Sequence, residues 1–182
     1  MSTDLERLVV KERIQELVYL YAHAADRRRW DLMEHVFHDD AWVGMTAAQG
    51  LWRDWVDEVA QIFDAHLGET SHLNANLLID LDGKVAHTES YCVAYHRVRA
   101  DAPEVGLFRG TGEEYELIGG LRYLDRFECR DGRWAIAERR VQSDWRHIRP
   151  LAEGNLGQTP PEFRGSVNDE VASRDVVRRW LS

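Results

Sequence analysis

The chain has 182 residues, 44% of them hydrophobic and 30% charged, the composition of one soluble globular domain with room for an appended terminal element. A formal net charge of -9, with its basic residues in short runs such as DRRRW, excludes recognition of a phosphate backbone, so no nucleic-acid partner is expected. No apolar run approaches the roughly 20 residues needed to span a bilayer, and the charged N-terminus lacks a signal-peptide core, so a cytoplasmic protein without a membrane partner is expected.

Thr3 followed by Glu6 has the form of a capping box and predicts a helix from about Asp4. Leu5, Leu8, Val9, Ile14, Leu17, Val18, Tyr21 and Ala25 recur at three- and four-residue steps, which places Tyr21 on the apolar stripe and Asp26 at the C-terminal end. WDLMEHVFHDDAW reads as a second helix with Leu32, Met33, Val36 and Phe37 turned inward, and a third is predicted from about Gln49 to His66. His35, His38, Asp39 and Asp40 lie close in sequence, but a helical i, i+3 pair needs ligands converging from elsewhere, so no metal site is assigned.

From residue 71 the period changes to two. Strands are predicted at 71–80, 85–99, 114–130 and 133–147, with Asp-Gly turns in DLDGKV and CRDGRW and one long mobile connection, ADAPEVGLFRGTGEE. Alternation puts His72, Asn74 and Asn76 on one face of the first of these strands, and Leu73, Ala75, Leu77 and Ile79 on the other. Cys92 and Cys129 fall in separate strands without metal or redox spacing and read as reduced packing residues.

Residues 149–182 form a Gly- and Pro-containing tail ending in a short helix capped by Ser173, with Val176, Val177, Trp180 and Leu181 apolar. So oily a tail is expected to dock on its own domain, 1–148, or on a neighbouring subunit. Helices first and long strands afterwards define an α+β class, with the helices packed on a curved antiparallel sheet whose concave side becomes a pocket.

Three segments, LVYLYAHAADRRRWDLMEHVFHDDAWV, SHLNANLLIDLDGKVAHTESYCVAYHR and GGLRYLDRFECRDGRWAIAERRVQSDW, resemble SnoaL-like members of the nuclear-transport-factor-2-like superfamily, over about 4–147. Within it the chain is similar to scytalone dehydratase, hexachlorocyclohexane dehydrochlorinase and bile-acid 7α-dehydratase. The resemblance implies a cone-shaped α+β barrel, elimination chemistry by an Asp–His pair without a metal or organic cofactor, and a homodimer or homotrimer packed through the outer sheet face. Asp26 and His72 stand at the family's positions, and Tyr21 has the spacing of a third acting residue.

These residue types suit that chemistry. A histidine titrating near neutrality can remove a proton next to an activating group, and a carboxylate on its other ring nitrogen fixes the tautomer. The competing reading is a buried pair that only ties the first helix to the sheet. Tyr21 can donate to a departing oxygen or simply pack. Asn74 and Asn76 can bind a substrate carbonyl or hydroxyl. Tyr91 and Tyr95 share one strand face and either could line the cone, while Arg140 could hold a carboxylate or pair with Glu138 or Asp144. The function expected is a cofactor-independent lyase on a small, hydrophobic, ring-bearing substrate, dehydratase first and aryl carbon–carbon lyase or isomerase next. The alternative is a non-catalytic ligand-binding or assembly module on the same scaffold.

Overall fold

The computed structural model describes residues 3–45, 49–151 and 176–180. The first helix, α1 (Asp4–Asp26), begins at the expected capping box: the Glu6 N–H donates to Thr3 Oγ1 at 3.2 Å and the Thr3 N–H to Glu6 Oε2 at 2.7 Å. Its buried stripe runs through Ile14, Leu17, Val18, Tyr21, Ala24 and Ala25, whereas Leu5, Leu8 and Val9, expected on the same stripe, are exposed.

The second helix is much shorter than its sequence pattern suggests. A 3-10 turn (Trp30–Leu32) leads into α2 (Met33–Val36), and the chain then extends as β1 (Phe37–Gly44). Leu32, Met33, Val36 and Phe37 are all fully buried as expected. Pairing with the last long strand on one side and with β2 (Gln49–Leu51) on the other overrides the weak helical preference of this stretch. For the same reason the third helix, α3 (Trp52–His66), starts three residues later than predicted.

Four long strands follow: β3 (Leu67–Asp82), β4 (Val85–Val98), β5 (Tyr115–Arg130) and β6 (Arg133–Pro150). They form an antiparallel meander, and β1 joins β6 in parallel, giving a six-stranded mixed sheet in the order β2-β1-β6-β5-β4-β3 that does not close. Asp131 and Gly132 both take positive φ (51° and 83°) in the β5–β6 turn, the backbone that Asp-Gly favours. Three helices thus pack on one sheet, an α+β cone.

The main core lies between α1, α2, the start of α3 and the inner sheet face. A second cluster joins Phe63, Leu67, Val98, Ala102, Phe108, Tyr115 and Leu117 at the other end. The β4–β5 connection belongs to it: Phe108 is buried and its carbonyl lies 2.8 Å from His66 Nδ1, so this segment, expected to be mobile, is packed onto the domain.

Of the tail, residues 176–180 are described, with a 3-10 turn at Arg178–Trp180; the expected Ser173 cap and Leu181 lie outside the described residues. Val177 is buried in the main core, Arg179 pairs with Glu16 at 2.7 Å, and the Trp180 ring meets His35. Cys92 is buried, Cys129 half-buried, and both are free thiols; burial pushes the Cys92 thiol up to about 11. Among the described residues no helix is long and apolar enough to cross a membrane.

Candidate active site

Asp26 ends α1 and His72 lies on the inner face of β3, and the fold brings them together. His72 Nδ1 lies 2.7 Å from Asp26 Oδ1, and the His72 backbone N–H donates to Asp26 Oδ2 at 2.8 Å. Thr70, one pleat before His72 on the same face, donates its hydroxyl to Asp26 Oδ1 at 2.9 Å. Burial works to raise the Asp26 carboxyl, but the ring and backbone hydrogen bonds of His72, and then Thr70, outweigh it and hold the group below its ordinary range. An ionised carboxylate only accepts, so a neutral His72 carries its proton on Nδ1 and keeps the lone pair on Nε2. Nε2 makes no hydrogen bond among the described residues. The side chains keep 8% (His72) and 13% (Asp26) of their surface accessible, enough to be reached and too little to be bathed in water.

His72 stands in an aromatic wall. Its ring lies parallel to Phe63 at 6.5 Å and edge-on to His96 at 5.3 Å, and Phe108 covers His96 at 4.8 Å. Burial, followed by the neighbouring His72, drives His96 down to about 3, so it is neutral wherever the dyad could work. His96 Nδ1 has no partner among the described residues. Sequence reasoning gave His96 no role, although alternation with Ala94 and Val98 already set it facing inward. Thr70 was equally legible by alternation and was missed. Arg28 carried no signal.

Asn74 sits one pleat beyond His72 and pairs across to Cys92; both atoms of its amide are buried and lack a hydrogen-bond partner among the described residues. The next expected member, Asn76, is not there. It is exposed, with φ 47°, at a bulge between Ala75 and Leu78 that shifts the register by one residue. Leu77, Ile79 and Leu81 therefore pack on the core, while Leu73 and Ala75 face out. The sequence reading had put Leu77 and Ile79 on the face opposite His72, because a strict period of two cannot register a bulge.

The remaining candidates fall elsewhere. Tyr21 is buried, with Arg139 over its ring at 4.0 Å and Phe37, Trp55 and Tyr123 around it, and it makes no hydrogen bond or ring contact with Asp26 or His72. Burial raises its phenol above the ordinary value. Tyr91 and Tyr95 lie on the outer face of β4; Tyr91 is exposed and Tyr95 donates to Glu116 at 3.2 Å. Arg140 is mostly exposed, paired with Glu138 at 2.8 Å and stacked 5.3 Å from the Trp42 ring. It borders an open outer-face groove of about 660 Å³, with Asp80, His87, Glu89 and Arg126, which contains no residue of the dyad. His38 is buried against the Glu128 carbonyl, 2.9 Å from Nε2. Among the described residues no three His, Cys, Asp or Glu side chains converge as a metal site.

The SnoaL-like domain matches residues 6–140, and the chain belongs to that family, within the nuclear-transport-factor-2-like superfamily. Rv2910c, an uncharacterized protein of Mycobacterium tuberculosis strain H37Rv, is 26% identical over 132 residues, 69% of this chain and 80% of its own. Solved structures that share the fold include two from Novosphingobium species. Hexachlorocyclohexane dehydrochlorinase LinA-type3 from Novosphingobium barchaimii LL02 superimposes with a TM-score of 0.68 at 16% identity, covering 87% of this chain and 100% of the other. A proposed scytalone dehydratase from Novosphingobium aromaticivorans DSM 12444 gives 0.62 at 21%, covering 85% and 97%. The neighbours of this fold thus include elimination enzymes.

Proposed function

We propose that the protein is a lyase in which His72 is the base and Asp26 its partner. The observation that carries this reading is the 2.7 Å contact between Asp26 Oδ1 and His72 Nδ1, which leaves Nε2 available inside a largely apolar wall. His72 Nε2 removes a proton from a carbon next to an electron-withdrawing group; Asp26 stabilises the imidazolium as it forms; the imidazolium returns its proton to the departing oxygen. The Asn74 amide, able to give and to accept, is the group in reach of a substrate carbonyl or hydroxyl. No step requires a metal or an organic cofactor. Phe63 and Phe108 suit a small ring-bearing substrate, with loss of water as the first reaction and aryl carbon–carbon cleavage or double-bond isomerisation as variants of the same proton abstraction. Tyr21, Asn76, Tyr91, Tyr95 and Arg140 have no part in this reading.

The direct test is proton abstraction itself. Cyclohexanone and 1-indanone, incubated with the protein in D2O, should exchange their α-protons faster than in buffer, and small cyclic β-hydroxy ketones should yield enones that absorb in the ultraviolet. His72→Gln and Asp26→Asn should each lower these rates by at least about 100-fold, the usual contribution of a positioned base, with circular dichroism unchanged. A folded His72→Gln protein that exchanges at the wild-type rate would sink the proposal.

The outer sheet face supports self-association. Leu73, Val93, Gly120 and Trp145 are successive partners across four strands, and Leu73, Val93 and Trp145 are exposed. We assign this row to contact with further copies of the chain, as a homodimer or homotrimer. Light scattering that gives the monomer mass, 21.1 kDa, at micromolar concentration would count against it.

A further inference from the structure

Arg28 follows α1 in a left-handed conformation, φ 56°, which a long side chain adopts only when its surroundings hold it there. What holds it is the dyad's own frame. Nη1 donates to the Ala25 carbonyl at 2.8 Å and to Thr70 Oγ1 at 3.2 Å, and Nη2 donates to the Gly68 carbonyl at 3.1 Å. The guanidinium lies 4.7 Å from the centre of the Phe63 ring, and its Nε is 3.8 Å from Asp64. Only 8% of the side chain is exposed. Arg28 therefore ties the last turn of α1, which carries Asp26, to the start of β3, which carries Thr70 and His72.

We propose that Arg28 and Thr70 are positioning residues of the dyad, a directional relay in which the arginine fixes which way the threonine hydroxyl points and thereby locks Asp26 onto His72 Nδ1. The direction follows from donor and acceptor counting. A guanidinium only donates; a hydroxyl has one proton and two lone pairs; an ionised carboxylate only accepts. With Arg28 donating into Thr70 Oγ1, the single hydroxyl proton is left for Asp26 Oδ1. Asp26 Oδ1 then holds two donors, Thr70 and His72 Nδ1, while Oδ2 holds the His72 backbone N–H. A carboxylate restrained at both oxygens cannot rotate away from the imidazole, and reversing the relay would require an arginine that accepts. The guanidinium also places a fixed positive charge close to the Asp26 anion.

This inference rests on the reading of His72 as a base, and its test separates the two. In 15N-labelled full-length protein, the His72 ring proton, assigned through His72→Gln, should give a downfield Nδ1–H resonance slowed in exchange with water. Thr70→Val keeps the shape and removes the hydroxyl; it should broaden that resonance into the solvent line and slow α-proton exchange of 1-indanone about tenfold. Thr70→Ser should restore both. Arg28→Met, which keeps the stem over Phe63, should match or exceed the Thr70→Val effect, and should it fail to fold, Thr70→Val and Thr70→Ser decide alone. A Thr70→Val protein with the wild-type Nδ1–H resonance, beside an Asp26→Asn protein that has lost it, would overturn the relay and leave the base untouched. Wild-type exchange activity in His72→Gln would overturn the base whatever Thr70 does.

Discussion

Two acid–base pairs lie inside the same cone, and the contrast between them separates a structural pair from a chemical one. Asp125 on β5 and Arg139 on β6 face each other in cross-strand register, joined by two hydrogen bonds of 2.7 Å, with both side chains fully buried. The guanidinium is sandwiched between Tyr21 and Tyr123, at 4.0 and 4.3 Å from the ring centres. Burial opposes its charge, but Asp125 more than compensates and pushes Arg139 further up. No proton can leave such a pair and no substrate can enter. Asp26 and His72 make a single short ring contact and keep a little accessible surface. Burial alone does not distinguish the two sites. Arg139 Nη1 also lacks a hydrogen-bond partner among the described residues, but a guanidinium can only donate; the distinction is that the His72 ring keeps an unpaired lone pair able to take up a proton.

The largest effect should follow from breaking the sealed pair. Arg139→Met leaves Asp125 buried without its partner and should cost about 3–5 kcal/mol of stability, read from urea unfolding. Converting both residues, Asp125→Leu with Arg139→Met, should cost far less than the sum of the single changes, because no charge then remains stranded. His72→Gln removes one partner of a less buried pair and should cost no more than about 2 kcal/mol while removing activity. A small loss in Arg139→Met beside a large one in His72→Gln would invert the comparison and make the dyad the structural pair.

The sequence foretold these regions unequally. Asp26 and His72 were legible because a helix end and a strand alternation each left a polar group turned toward apolar neighbours, and the family resemblance joined them. Asn74 followed from the same alternation. The α+β order and all four long strands were readable from periodicity, since each is a long run with one buried face. Three things were not. The β1 strand was read as helix because its identity comes from pairing with β6, about a hundred residues away in sequence. The bulge at Asn76 is a one-residue event that local pattern cannot register, and it removed Asn76 from the site. Arg139 passed unnoticed because a charged residue in a strand ordinarily reads as exposed; only the fold sets it opposite Asp125.

A smaller effect, on pH response, distinguishes the dyad from the buried ring beside it. Unfolded, His96 takes up a proton below about pH 6.5; folded, burial and then His72 hold it down to about 3. The folded state binds fewer protons across that window. The stability this group contributes is therefore complete above about pH 6.5 and is lost as pH falls toward 3, at up to about 1.4 kcal/mol per pH unit. His96→Phe, surrounded by Phe63 and Phe108, should flatten the acid limb of the stability profile by about that slope while changing little at pH 8. An unchanged acid limb in His96→Phe would mean that the ring is charged in the folded protein, and the dyad would then face a second cation.

The smallest effect concerns the residue that lets one strand serve both regions. Up to Ala75, β3 turns Thr70, His72 and Asn74 inward; beyond the bulge it turns Leu77, Ile79 and Leu81 inward. Asn76 absorbs the change at φ 47°, a left-handed position that asparagine tolerates better than most residues and glycine better still. Asn76→Gly should change the unfolding free energy by no more than about 0.5 kcal/mol, since removing the Cβ strain offsets the added freedom of the unfolded chain. Asn76→Val, whose branched side chain is disfavoured there, should cost about 1–2 kcal/mol. If Asn76→Val instead proved harmless, the bulge would be free to migrate along β3. The inward set of this strand would then be fixed by the apolar end, and the register of the dyad would be a consequence of core packing instead of the turn at Asn76.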